Sequence, residues 1–334
     1  MKKNHLFFAL VGAALFGWVI VHVGPQAILQ QLKVIRIALP VLVILSLCRL
    51  LLQTAAWSAA LSGAGISVPR RKLIGIRLAS QSMGYLTVLG PLLSEPMKIK
   101  LLGSSPAPAI AATLLDNGVY WFTATLTAIA GCVCAVFLAV RGSHYLWSVA
   151  AVTVLTVALF LIARRKPILT GIARALGKRC PSWLTRAEAI ERSIRNYRVE
   201  HPALVGRMFW IGAACQLLLA FEVIIVLWSL RLPIHVATVL GIEGLTRVMK
   251  MVSGWVPARL GADEGGAMSA FMLAGFSPVF GLTLALTRRM RDLLWSLLGI
   301  AWLVLRASKT SHQEKLHEKE RSQIAQEGCV CSSL

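Results

Sequence analysis

Acidic residues are scarce in this chain: 14 Asp and Glu face 35 Lys and Arg among 334 residues, for a net charge of +21. Only 15% of the residues are charged, against about 25% in a soluble domain, so a soluble globular domain is excluded. Cysteine offers no framework either. Of seven, Cys48, Cys132, Cys134 and Cys215 lie in apolar stretches, where cysteine acts as a small hydrophobe. Neither Cys132/Cys134 nor Cys329/Cys331 has His or Cys partners at zinc spacing, so no metal site and no disulfide framework is expected. The chain contains no nucleophile elbow, no Gly-x4-Gly-Lys loop and no His-Glu-x-x-His. No cofactor is expected, and transport fits better than catalysis.

What the chain has is apolar residue, 57% of the total, gathered in runs long enough to cross about 30 Å of hydrocarbon. Leu6–Val23, Ile37–Leu61, Pro106–Val140, Tyr145–Ala163, Leu204–Leu230 and Pro278–Leu305 read as six full spans. Leu73–Leu102 is apolar but interrupted by Gly84, Gly90, Pro91 and Pro96, and Val236–Gly266 by Gly241, Gly244, Gly254, Pro257 and Gly261. These two read as re-entrant broken helices, with Gly90, Pro91, Pro257 and Gly261 as the structural breaks. The expected fold is therefore an all-α polytopic integral membrane protein.

The basic residues flank the apolar runs, as the positive-inside rule produces, and do not form a nucleic-acid face. Residues Arg164–Arg207 hold eleven basic and three acidic residues, and Arg70, Arg71, Lys72 and Arg77 follow the second span. Both placements fit a cytoplasmic N-terminus, and six spans return the C-terminus to the same side. The expected location is the inner (cytoplasmic) membrane. The expected organisation is a transmembrane domain over 1–305, with a basic cytoplasmic loop at 164–207 and a charged cytoplasmic tail at 306–334.

An order of features occurs twice. Pro91-Leu-Leu-Ser-Glu95 precedes Gly103-Ser-Ser-Pro106, and Asp116 stands ten residues beyond Pro106; Pro257 to Glu264 precedes Gly275-Phe-Ser-Pro278, and Arg288 stands ten beyond Pro278. The copies, about 37–140 and 204–305, would be entered from opposite sides of the membrane, which makes them an inverted repeat. Inverted repeats with discontinuous helices bind polar substrate near the membrane midplane.

A charge at helix centre costs about 2.5–3.5 kcal/mol on insertion scales, so an ionisable residue there faces a partner or water. Asp116, Glu222 and Arg288 are the first functional candidates, followed by Arg49, Arg247, Lys250 and Arg289, and all of these but Arg49 are candidates for substrate binding. Asp116 is open to a second reading as a structural salt bridge, and Glu222 as a protonated acid bonded between helices. Arg288 to Asp292 is open to reading as an interfacial loop, with Ala267–Thr287 as a span of its own. Lys98 is a candidate that could also snorkel to the interface with Lys100. Glu95, Asp263 and Glu264 are candidates that could equally cap helix breaks. Trp121, Trp147, Trp210, Trp228, Trp255 and Trp295 read as interface anchors.

At these residues the chain resembles the lysylphosphatidylglycerol synthase transmembrane-region family, a flippase-like membrane domain that occurs alone or fused to an aminoacyl-lipid synthase. The stand-alone form is expected here. The likeness is strongest over Pro257, Gly261, Glu264, Gly275, Arg288 and Gly299. In the first copy Pro91, Glu95 and Lys98 resemble the family's pattern, with Ser94 in place of a glycine, Lys98 in place of an arginine, and Asp116-Asn117 where a Glu-Arg pair is usual. The resemblance implies a membrane lipid as partner: a phospholipid, a hopanoid or a polyprenyl phosphate. The leading expectation is a lipid translocator, in which a headgroup passes along Glu95, Asp116, Glu264 and Arg288. Two alternatives stay open, an intramembrane lipid-linked transferase with Asp263 or Glu264 as base, and a non-catalytic partner of a lipid-modifying enzyme.

Overall fold

The computed structural model describes residues 36, 38–86, 90–103, 106–139, 192, 196, 197, 200–252 and 261–331. Among them the chain forms eight α-helices and no strand: α1 (Leu39–Gly63), α2 (Arg70–Leu86), α3 (Gly90–Leu102), α4 (Pro106–Ala139), α5 (Pro202–Ser229), α6 (Val236–Val252), α7 (Ala262–Leu273) and α8 (Pro278–Cys331). This is an all-α membrane protein. Leu39–Gly63, Ala107–Ala135 and Pro202–Ser229 are long and apolar enough to cross a bilayer. α8 is long enough too, but Arg288, Arg289, Arg291 and Asp292 interrupt its apolar stretch. Leu6–Val23 and Tyr145–Ala163 lie outside the described residues, as do Pro257 and Gly254.

The order of helices repeats. A long helix of 25 or 28 residues leads to one of 17, then one of 13 or 12, then a long helix opened by proline. The Gly-x-Ser-Pro signature has a physical cause at both places. Gly103 and Gly275 take positive φ, 72° and 81°, the left-handed turn that ends a helix and favours glycine. The proline three residues on suits the first helical position, where no N–H bond is lost.

The interrupted segments each resolve into two helices, but not at every expected break. Gly84 lies inside α2, Pro96 inside α3, and Gly241 and Gly244 inside α6. Gly90 is the first residue of α3, with Pro91 in its first turn, and Gly261, at φ 78°, is the N-cap of α7. Gly244 serves packing: a Cβ there would collide with the backbone of Gly131 on α4. The same close approach recurs where α8 crosses α2, with Gly299 against Leu78 and Ser82. Thus α2 of the first quartet lies on α8 of the second, and α6 of the second lies on α4 of the first. The two quartets interlock rather than sit side by side. Ala267–Thr287 is no single span, because the turn at Gly275 divides α7 from α8.

Apolar packing gathers in two clusters. One joins the second half of α1 and the first part of α4 to α2, α3 and Met208; the other joins the start of α1, the end of α4 and the end of α5 to α6, Phe271 and Leu284. Each of the three spanning helices therefore runs from one cluster to the other. Between the clusters they carry Ser46, Arg49 and Gln53 on α1, Asp116, Tyr120 and Thr123 on α4, and Gln216 on α5. The polar residues form a belt near the middle of the spans, with Ile44, Leu47, Leu51, Leu217 and Phe221 exposed on the outer surface. That surface is apolar because lipid offers no partner to a polar group.

Candidate functional site

The belt starts on α2. Arg77 stands seven residues into that helix, among Ile76 and Ala79, which are fully buried. Its Nη1 donates to the carbonyl of Gln53 on α1 at 2.6 Å and to Asp116 Oδ2 on α4 at 3.4 Å. Arg77 was expected with the cytoplasmic basic cluster; it is buried, because its position on the helix face falls in line with Leu73 and Ser80. Beside it on α3, Lys98 Nζ donates to Glu95 Oε1 at 2.7 Å and lies 6.0 Å from the Trp57 ring. Lys98 does not snorkel: it is 6% exposed, whereas Lys100 on the other face is exposed.

The larger part of the belt centres on Glu243 of α6, which is 2% exposed. Its Oε1 accepts from Arg247 Nη2 at 2.7 Å and its Oε2 from Arg288 Nη2 at 2.6 Å. Arg288 Nη1 also donates to Thr246 Oγ1 at 3.2 Å, and its Nε lies 3.6 Å from Glu222 Oε1. Arg247 reaches Gln216 Oε1 on α5 at 2.7 Å and Tyr120 on α4 at 3.5 Å. Glu222 receives both bonds from Arg291 Nη1, at 2.7 and 2.6 Å, while Arg291 Nη2 donates to Asp292 at 2.9 Å. Arg288 to Asp292 is thus mid-helix and largely buried, which overturns the interfacial-loop alternative. Glu222 lies at ion-pair distance from Arg291 and Arg288.

Glu264 sits at the edge of this network. Its Oε2 accepts the Gly261 N–H at 2.9 Å, and its Oε1 lies 2.6 Å from Arg289 Nη2. One carboxylate therefore caps α7 and fixes α8. Asp263 is half-buried in the same first turn, and Lys250 lies half-buried at the end of α6, within electrostatic reach of Glu222 and Glu243. Among the described residues no three His, Cys, Asp or Glu side chains gather as a metal site.

Geometry brings the two quartets into register. Arg77 and Glu243 each stand seven residues past the start of α2 and α6; Asp116 and Arg288 each stand ten past the prolines that open α4 and α8. The bridges Arg77–Asp116 and Glu243–Arg288 are the same contact with the charges exchanged. Ser80 and Thr246 bond back to the carbonyls of Arg77 and Glu243 at 2.9 and 3.0 Å. Gln53 and Gln216 stand fourteen residues past the starts of α1 and α5 and take the neighbouring arginines. The signal was in the sequence as Gly75-Ile76-Arg77-x-x-Ser80 and Gly241-Ile242-Glu243-x-x-Thr246. A search for repeated charges misses it, since the charge changes sign between copies.

The belt is closed. The cavity bordered by Gln53, Arg77, Asp116, Tyr120 and Cys215 measures about 10 Å³, about the room one water molecule needs. Arg288 and Arg289, both candidates for substrate binding, are already held by Glu243 and Glu264. Neither the curated proteins nor the solved structures contain a match to this sequence. A sequence profile does: that of the lysylphosphatidylglycerol synthase TM region matches residues 6–299. The chain belongs to that family, membrane domains related to lipid handling.

Proposed function

We propose that this protein is a lipid translocator of the inner membrane, with both termini cytoplasmic, moving a polar headgroup between its two quartets while the tails stay in the bilayer. The observation that carries the reading is the pair of equivalent, charge-exchanged bridges at mid-span. A structural role alone asks for any stable packing there, and apolar residues of similar volume often pack as well as a buried ion pair. Two interlocked repeats with a shared polar belt supply what translocation needs: groups that hold each other when closed and can face a headgroup when parted. Substrate contact would then fall on Asp116, Glu222, Arg247 and Arg288 inside the belt, with Glu95, Lys98, Lys250, Asp263, Glu264 and Arg289 along its edges. The transferase reading is weakened at Glu264, one of its two candidate bases, because both of its oxygens are engaged, by Gly261 and Arg289.

The test is headgroup movement in proteoliposomes, using fluorescent phospholipids with dithionite quenching and parallel probes for a hopanoid and a polyprenyl phosphate. Movement above protein-free vesicles is expected for at least one probe, and loss of it in Arg288→Ala. No movement for any probe would overturn the proposal.

A further inference from the structure

Seven acids lie outside the basic loop and the tail, from Glu95 to Asp292, and no Asp or Glu precedes Glu95 in the chain. All seven are within the described residues. Six of them make the ion pairs given above, each with a cation other than Arg49. Arg49 itself forms no ion pair among the described residues, although Tyr120, Glu222, Arg291 and Asp292 lie within its electrostatic reach. The nearby carboxylates Glu222 and Asp292 are both engaged by Arg291.

Its position is inward. Leu42, Ser46, Gln53 and Ala56 share its stripe of α1 and are all buried, whereas Arg49 is half-buried. Ser46 Oγ accepts from Trp295 Nε1 of α8 at 3.0 Å, and the Gln53 carbonyl accepts from Arg77 of α2. Arg49 therefore lies between the turn of α1 that meets α8 and the turn that meets α2, and its own carbonyl accepts from Cys215 Sγ of α5 at 3.9 Å. An unpaired charge at mid-span is costly unless it meets water or a counterion.

We infer that Arg49 is the docking point for one phosphate group. A guanidinium presents a planar fork of donors that matches two phosphate oxygens. Tyr120 can add a third donor, since its oxygen accepts from Arg247 and its own proton is left to give. The phosphate can come from a lipid headgroup or from solution. The inference deepens the translocation reading and rests on it only for a bilayer source.

The experiment is thermal unfolding of the full chain in neutral detergent, with added phosphatidylglycerol, phosphate-free diacylglycerol or inorganic phosphate, for wild type and Arg49→Met. Wild type is expected to gain several degrees in midpoint with phosphatidylglycerol beyond the diacylglycerol gain, because a ligand that binds only the folded state raises its stability. Arg49→Met is expected to lose that extra gain and, without lipid, to unfold at the same or a higher temperature, an unpaired charge having been removed. A wild-type gain with inorganic phosphate, lost in the variant, assigns the site to free phosphate. Equal responses in the two proteins would overturn the inference, as would no response in wild type. Failure of Arg49→Met to fold, or a lower midpoint without lipid, would also overturn it, by showing that Arg49 holds a protein partner. Flat translocation with the expected midpoint shifts would remove transport and leave the anion site standing.

Discussion

Taking one member from a buried ion pair leaves the other without water or partner, which costs about 3–5 kcal/mol. Asp116→Asn strands Arg77 in this way, with the Gln53 carbonyl as its remaining acceptor. Glu243→Gln takes the shared carboxylate from two arginines at once, leaving Arg247 with Gln216 and Tyr120 and Arg288 with Thr246 and the more distant Glu222. Both variants are expected to unfold earlier in detergent, and Glu243→Gln by more; equal midpoints would show that the network is not centred on Glu243. The exchange Arg77→Asp with Asp116→Arg is expected to recover part of the Asp116→Asn loss in a double-mutant cycle. At this scale the sequence pointed to most of the network, because ionisable residues in apolar runs are conspicuous. It did not separate Arg77 from the neighbouring Arg70, Arg71 and Lys72, for one basic residue looks like another until the helix face is known.

Close helix crossings depend on glycine, and the cost of filling one depends on what stands opposite. A side chain at Gly244 meets the Gly131 backbone, which has nowhere to go, so Gly244→Val is expected to destabilise by about 1–3 kcal/mol or to part α4 from α6. Gly265 is the control: it is helical with open space beside it, and Gly265→Ala is expected to stabilise by about 0.5–1 kcal/mol. Thermal unfolding of both variants checks the contrast, and a like sign for the two would overturn the packing assignment. At Gly103 and Gly275 the strain is conformational. Alanine at either is expected to cost about 1–2 kcal/mol, through the left-handed backbone alone. These turns were legible in the Gly-x-Ser-Pro signature, whereas Gly84, Gly241 and Gly244 looked like breaks and are helical. A glycine in an apolar run marks either a bend or a neighbouring helix, and the sequence around it is the same in both cases.

For the molecule as a whole, an inverted repeat requires the start of α4 and the start of α8 to face opposite sides of the membrane. Ala107 and Val279 are exposed near those starts. In a background with the native cysteines replaced, Ala107→Cys and Val279→Cys in sealed vesicles are expected to react with an impermeant maleimide from opposite sides. Labelling from one side would overturn the inverted arrangement and, with it, a groove between mirrored quartets.

Composition, the apolar runs and the repeated Gly-x-Ser-Pro determined by themselves that this is an all-helical membrane protein with an internal repeat, because hydrocarbon leaves a spanning backbone few options and each helix must end somewhere. Which charges meet, and that the two bridges correspond, was decided only by tertiary structure. Arg77 and Asp116 are 39 residues apart and Glu243 and Arg288 are 45 apart. Pairing over such distances follows from which helix faces the interlocked quartets bring together. No local spacing carries that information, since an ion pair is fixed by the space between helices and not by the chain that connects them.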